Sequence, residues 1–334
     1  MKKLLILGIN GFIGNQLTKK ILTTTNWEIY GMDIAYNKLE HSITNPNLHF
    51  TQGDITTEQK WLQQHIEKCA VILPLAAIAT PAIYVTNPLQ VFELDFEANL
   101  PIVRQCVQSN KHLIFPSTSE VYGLSTESEF AEETTILMQG PINKERWIYS
   151  SAKQLMDRII YAYGKHSTLK YTLFRPFNWI GPTQDDIHSK NLRLVPQFIS
   201  NIIYGKDLQL VNGGKQRRCF TFIDDAVAAL IKIIANENDC ATGKILNIGN
   251  PNNNASIREV AETILQLAKK YPRYQDQLAK IKIVNTQADD YYGSGYQDVQ
   301  NRVPAIKLAQ KFLNWQPTTT LKTALAKTLD HYLC

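Results

Sequence analysis

The chain has 334 residues and a mass of 38.0 kDa, enough for two domains or one large α/β unit with an elaboration. Hydrophobic residues at 44% and charged residues at 19% are ordinary globular usage and exclude a disordered chain. The net charge of +5, from 35 basic and 30 acidic residues scattered along the sequence, is too small to imply a nucleic-acid partner and suits an anionic small molecule equally well.

In chain order, residues 3–7 form a short apolar run bounded by Gly8, which predicts a buried strand. The first residues resemble a signal peptide, but Gly8, Asn10, Gly11 and Gly14 break the run and no small-residue cleavage site follows. Residues 12–22 have helical spacing. Strands are predicted at 28–32, ending on Asp33, at 48–51, followed by Gly53-Asp54, and at 71–75. The longest apolar stretch, 70–85, carries Pro74, Thr80 and Pro81 and is too short and broken to span a bilayer. Residues 91–107 predict a long helix with a kink at Pro101. A strand at 112–115, a helix at 149–163 and a strand at 171–174 complete the first half. Strands separated by single helices predict an α/β fold with a doubly wound parallel sheet, a Rossmann arrangement.

After Arg175-Pro176 the loops lengthen. Helices are predicted at 195–204, 224–235 and 257–269, while 182–190 and 250–254 have no periodicity. This composition predicts a second, smaller substrate-binding lobe over the strand ends. The expected division is 1–177 with 221–250 as the Rossmann domain, and 178–220 with 251–334 as the lobe. Cys69, Cys106, Cys219, Cys240 and Cys334 are widely spaced and odd in number, which reads as reduced thiols in a cytoplasmic protein. The seven histidines show no ligand spacing, so no metal is expected.

The first turn reads Gly8-Ile9-Asn10-Gly11-Phe12-Ile13-Gly14, a Gly-x-x-Gly-x-x-Gly variant of the dinucleotide fingerprint between a strand and a helix. Gly8 permits the tight turn, Gly11 admits a pyrophosphate, and Gly14 lets the helix sit close on the strand. Asp33 ends the next strand 19 residues after Gly14. A carboxylate there accepts from both ribose hydroxyls and repels a 2′-phosphate, so NAD is expected over NADP. Asp54, followed by Ile55, either accepts from the adenine amino group or caps a turn. Ala76-Ala77 either lets the chain pass close to the cofactor or packs.

Pro116-Ser117-Thr118-Ser119-Glu120-Val121-Tyr122-Gly123 follows the fifth strand. Tyr149-Ser150-Ser151-Ala152-Lys153 opens a helix about two dozen residues later, with Tyr149 and Lys153 on one face. An ordinary Tyr pKa of ~10 must fall roughly 3 units, about 4 kcal/mol, for the phenol to act as a base near neutrality. One cation at ~4 Å and an effective dielectric of ~20 supplies about that much, from Lys153 together with the cationic nicotinamide. Thr118 would hold the substrate hydroxyl and share its proton.

Together these residues resemble the extended short-chain dehydrogenase/reductase superfamily, which acts on nucleotide sugars. Within it the whole chain is similar to the UDP-glucuronic acid decarboxylase half of the bifunctional polymyxin-resistance enzymes, which act on the way to modified lipid A. The carrying stretches are residues 73–81, 115–123, 146–149, 174–179, 213–220 and 291–299, the last specific to that branch. The chain opens on the first strand with no formyltransferase half ahead of it, so only the dehydrogenase-decarboxylase activity is expected.

The resemblance implies Thr118, Tyr149 and Lys153 for hydride transfer, and Ser119, Glu120 and Arg302 for decarboxylation. Arg302 would grip the carboxylate or protonate C5, and Glu120 would orient Arg302 or relay a proton. It also implies nucleotide-sugar contacts at Asn178, Arg193, Lys215, Gln216, Arg218 and Tyr296, with Arg193 and Arg218 at the diphosphate, away from Arg302. Lys215 and Arg217 alternatively form a solvated basic face. The expected activity is NAD-dependent oxidation of UDP-glucuronic acid at C4 with loss of the C5 carboxylate as CO2, giving UDP-4-ketopentose. Alternatives are a UDP-xylose synthase that retains NADH, another epimerase or dehydratase, and a non-catalytic NAD-sensing scaffold. Ser119 stands where a 4,6-dehydratase wants an acid. The resemblance further implies a homodimer built on the 91–107 and 149–163 helices, with neither membrane nor nucleic acid as partner.

Overall fold

Strand Lys3–Leu7 (β1) alternates between two cores. Leu4 and Ile6 enter a cluster of 48 buried residues, while Leu5 and Leu7 enter one of 19. Successive side chains of a strand point to opposite faces, so a strand apolar on both must be covered on both. The computed structural model describes residues 1–334. β1 is joined by Glu28–Asp33 (β2), Leu48–Gln52 (β3), Val71–Pro74 (β4), His112–Pro116 (β5), Lys170–Pro176 (β6) and Lys244–Ile248 (β7). All pair in parallel, in the order β7-β6-β5-β4-β1-β2-β3. The order reverses between β1 and β4, which opens a crevice beyond their carboxyl ends where such sheets bind ligands. The doubly wound α/β sheet expected from the sequence is present.

The longer helices are Phe12–Thr24 (α1), Gln59–Lys68 (α2), Asn99–Gln108 (α3), Trp147–His166 (α4), Leu194–Ile203 (α5), Ile223–Ala235 (α6), Ile257–Ala268 (α7) and Leu321–Leu333 (α8). One prediction is corrected. The single helix expected over 91–107 is divided into a short helix Pro88–Phe92, a π-helical turn Glu93–Glu97 and α3. The distortion lies one turn before Pro101. Proline has no N–H for the carbonyl four residues back, Glu97, and its ring crowds that carbonyl. Within the distorted turn Ala98 N donates to Glu93 O at 2.8 Å, an i to i+5 bond. This turn carries Asp95 into the interior, where it is fully buried.

Beyond β6 the structure holds three two-stranded pairings, Trp179–Ile180 with Thr221–Phe222, Arg217–Cys219 with Asn254–Ser256, and Leu208–Val211 with Ile283–Thr286. α7 starts at a full capping box, Ser256 with Glu259. No helix is long and apolar enough to cross a membrane.

Candidate active site

The β1–α1 turn is built to exclude side chains. Gly8 has φ +79°, and a Cβ on it would lie 2.6 Å from the Ala76 backbone nitrogen. A Cβ on Gly14 would lie 2.6 Å from Gly8 O. Gly11 precedes α1 and supplies no capping side chain, so the first-turn N–H groups of α1 remain available to an anion. Gly8, Gly11, Phe12, Ile13 and Gly14 line a cavity of about 710 Å³. Beside this turn, Asp33 Oδ2 accepts from Asn10 N at 2.8 Å. Burial raises the Asp33 carboxyl above its ordinary value, opposed by the amides of Asn10 and its neighbours. The short turn, bare helix end and carboxylate on β2 fit a dinucleotide carrying a free 2′-hydroxyl.

Asp54, Ile55 and Ala76 at this end have contacts within the protein. Asp54 Oδ1 accepts from the Thr56 amide and hydroxyl, both at 2.8 Å, so its carboxylate caps a turn. Ile55 is buried in the smaller core. Ala76 is the backbone that Gly8 lets approach, so its small side chain serves close passage.

β5 leads into the loop that bears Thr118, Ser119 and Glu120. Thr118 caps a 3-10 turn, Ser119–Tyr122, its Oγ1 accepting from Glu120 N at 3.2 Å. Tyr149 and Lys153 lie on α4, one turn apart and both buried. Thr118, Ser119, Glu120, Tyr149, Lys153 and Arg302 all line the same cavity, although Arg302 is 182 residues from Glu120 in the chain. Pairing of Phe130 with Val303 and Ala305, through bonds of 2.7 and 2.9 Å, places the Arg302 segment there. Arg302 Nη1 donates to Glu120 Oε1 at 2.5 Å, and Arg146 Nη2 donates to Glu120 Oε2. Burial alone would raise the Glu120 carboxyl, but Arg146 and then Arg302 bring it down to about 2. A carboxylate so held orients an arginine and does not relay protons near neutrality.

The expected lowering of Tyr149 by Lys153 is corrected. Lys153 Nζ is 3.1 Å from the Asp95 carboxylate and 5.9 Å from the Tyr149 ring. Burial first, and then Asp95, push the Tyr149 phenol well above its ordinary range, while hydrogen bonding with Thr118 and Tyr84 opposes them. Tyr84 stacks on Tyr149 at 4.6 Å and 9°. In the protein alone Tyr149 is therefore a proton donor at neutral pH.

At the nucleotide end the period of a strand sorts the basic run. Gln216 and Arg218 line the cavity; Arg217, between them, turns away to Asn254 and Glu259. Lys215, expected as a substrate contact, is exposed and does not line the cavity. Arg218 pairs with Asp298 at 2.7 Å and lies near enough to Glu120 and Arg302 for their charges to interact, so it is not remote from Arg302 as expected. Arg193 pairs with Asp185 and lines the cavity beside Phe12. Asn178, at φ +40°, lines it with a buried amide nitrogen that has no partner. Tyr296 is buried, stacks on Tyr292 at 4.0 Å and also lines it.

Sequence reasoning did not single out Asp95, Tyr84 or Arg146. Asp95 had one signal, a carboxylate among Phe92, Leu94 and Phe96. No group of three or more His, Cys, Asp or Glu is arranged to hold a metal ion.

A parallel sheet with a glycine cradle at its switch point and a Thr-Tyr-Lys set beside it defines a nucleotide-dependent oxidoreductase class of site. Residues 4–249 match the NAD dependent epimerase/dehydratase family, and the chain belongs to that family. The crystal structure of the PbgP3 protein from Burkholderia pseudomallei is 51% identical, with a TM-score of 0.92, over 99% of this chain and 96% of that one. UDP-glucuronic acid 4-epimerase from Bacillus cereus, solved with UDP-glucuronic acid and NAD, has a TM-score of 0.84 at 20% identity, covering 99% and 98% of the two chains. A dTDP-glucose 4,6-dehydratase from Bacillus anthracis, solved with NAD, has a TM-score of 0.79 at 23% identity, covering 99% and 96%. At these lower identities the likeness is one of fold.

Proposed function

We propose that the protein oxidises UDP-glucuronic acid at C4 with NAD and releases the C5 carboxylate as CO2, leaving UDP-4-ketopentose. The observation that carries this reading is the buried Glu120–Arg302 pair, which lines one cavity with Thr118, Tyr149 and Lys153. A hydroxyl oxidation needs only the latter three. A cation beside them, fixed by a carboxylate that stays ionised, suits a substrate that also carries a carboxylate.

Gly8, Gly11, Gly14, the bare N-terminus of α1 and Asp33 would hold the cofactor. When bound, NAD supplies the hydride acceptor for C4 and a positive charge that favours the Tyr149 phenolate. Tyr149 takes the proton of the C4 hydroxyl, and Thr118 holds its oxygen. The resulting C4 ketone lies β to the carboxylate. As the C5–carboxylate bond breaks, its electron pair moves into an enolate on C4, and CO2 departs. Tyr149, carrying the proton it received, donates to that enolate oxygen, a placement of charge stabilisation in the transition state. Arg302 holds the carboxylate until it leaves. A proton taken up from solvent adds at C5 as the enolate returns to the ketone, which completes the product. Arg193, Gln216, Arg218 and Asn178 are offered as nucleotide-sugar contacts on the strength of the cavity they line.

The test separates the two halves of the reaction. Tyr149→Phe should abolish both NADH formation and CO2 release, since no ketone forms. Arg302→Ala or Glu120→Gln should lower CO2 release by about 10²–10⁴-fold, the order of one acid–base or electrostatic group. Wild-type CO2 release from Arg302→Ala would overturn the reading.

A further inference from the structure

β7 reads Lys244-Ile245-Leu246-Asn247-Ile248. Leu246 and Ile248 enter the larger core, so Asn247 between them faces the other side of the sheet, where it is fully buried. A buried amide is kept where its hydrogen bonds are made, and Asn247 uses both ends of its side chain. Its Nδ2 donates to the Phe130 carbonyl at 2.8 Å and to the Ala305 carbonyl at 3.1 Å. Its Oδ1 accepts from the Tyr122 hydroxyl at 2.8 Å. Both carbonyls can only accept, which fixes the way the amide points. The Tyr122 oxygen accepts in turn from Arg175 Nη1 at 2.9 Å, so its own proton is committed to Asn247.

These partners belong to the two segments that make the Glu120–Arg302 pair. Tyr122 closes the 3-10 turn that carries Glu120. Phe130 and Ala305 share the backbone pairing that brings the Arg302 segment to the cavity. One side chain thus holds both halves of a pair whose members stand 182 residues apart in the chain. Neither Asn247 nor Tyr122, Phe130 or Ala305 lines the cavity. We infer that Asn247 is a positioning residue for loss of the carboxylate: its amide fixes the Glu120 turn against the Arg302 segment, so that the guanidinium meets the substrate carboxylate in one place. Oxidation depends on Tyr149 and Lys153 of α4, which make no bond to this amide, and on Thr118, two residues beyond β5. The inference rests on the decarboxylation reading given above.

The experiment is a single turnover, with NAD-loaded protein in excess over UDP-glucuronate labelled at the carboxylate carbon. NADH and labelled CO2 are timed separately. The proteins are wild type, Asn247→Ala, Arg302→Ala and the double variant. Asn247→Ala removes only the side chain. The backbone pairing of β7 remains, as does the bond from Asn247 N to Glu132 Oε1 at 2.7 Å. Displacing a reacting group by ~1 Å can cost about 10²-fold, so CO2 release should slow by about 10–100-fold while NADH formation changes far less. In the Arg302→Ala background the same substitution should slow CO2 release no further, because its effect runs through Arg302. A general loosening of the fold would slow both events together and would add to the Arg302 loss. NADH formation that falls as far as CO2 release overturns the inference. So does CO2 release at the wild-type rate from Asn247→Ala, or an additive loss in the double variant. Should either Asn247 variant not fold, Tyr122→Phe, which removes one oxygen, is timed in the same way: a lag in CO2 alone supports the inference, and its absence overturns it. A wild-type protein that releases no labelled CO2 removes the decarboxylation reading itself, and the inference with it.

Discussion

Asp95→Asn should move the pH dependence of NADH formation to lower pH. Asp95 is fully buried, with Oδ2 accepting from Ile78 N at 2.9 Å and Oδ1 lying 3.1 Å from Lys153 Nζ. Its charge offsets that of Lys153, which lies 5.9 Å from the Tyr149 ring. Uncompensated, a unit charge at that distance acts on a phenolate with about 3 kcal/mol at an effective dielectric of ~20, or about two pH units. Removing the anion uncovers this attraction and removes a direct repulsion, and both favour the phenolate. Tyr149 acts as a base, so rate rises as pH passes its pKa, and a lower pKa carries the acid limb downward. We expect a shift of roughly one to two pH units, after discounting for relaxation around the site. The same change strands Lys153, 1% exposed, without its counterion, and should cost roughly 3–5 kcal/mol of stability. NADH absorbance followed from about pH 6 to 10, below the melting range of the variant, reads the limb directly. A limb that stays in place or moves upward would refute the electrostatic linkage from Asp95 through Lys153 to Tyr149.

Asp33→Ala should weaken NAD binding by roughly 1.5–3 kcal/mol, since a charged acceptor is lost from the ribose, and should reduce discrimination against NADP. Equal catalytic efficiency of the unaltered protein with NAD and NADP would contradict the role of Asp33. We also expect a homodimer. Leu89 on the Pro88–Phe92 helix and Leu155 and Tyr161 on α4 are exposed, and the two helices pack together, offering one apolar surface. Light scattering at micromolar concentration should give about twice the 38.0 kDa chain mass; a monomer mass would reject it.

The parts of the site legible in the sequence are those whose chemistry is local. Gly8, Gly11 and Gly14 are fixed by one turn, Asp33 by the end of the next strand, and Tyr149 with Lys153 by one helical repeat. The charge partners were not legible. Asp95 reaches Lys153 from a π-helical turn, where the sequence predicts a plain helix with a kink at Pro101. Arg146 and Arg302 meet on Glu120 across 26 and 182 residues of chain, a distance no local pattern spans. Lys215, in one run of charges with Arg217 and Arg218, lies before the strand Arg217–Cys219, at the end of a 3-10 turn that leaves it exposed. The resemblance to a family supplied Arg302 and Tyr296, which composition and periodicity alone would have left among surface residues.

The most direct measurement is the product itself. The protein is incubated with NAD and UDP-glucuronate labelled at the carboxylate carbon, and the sugar nucleotide, the released label and NADH are followed together. The expected products are UDP-4-ketopentose, one labelled CO2 and one NADH for each substrate consumed. UDP-xylose with CO2 but no net NADH would keep the decarboxylation and overturn the release of the ketone. An epimerised uronate that retains its label would contradict the central claim.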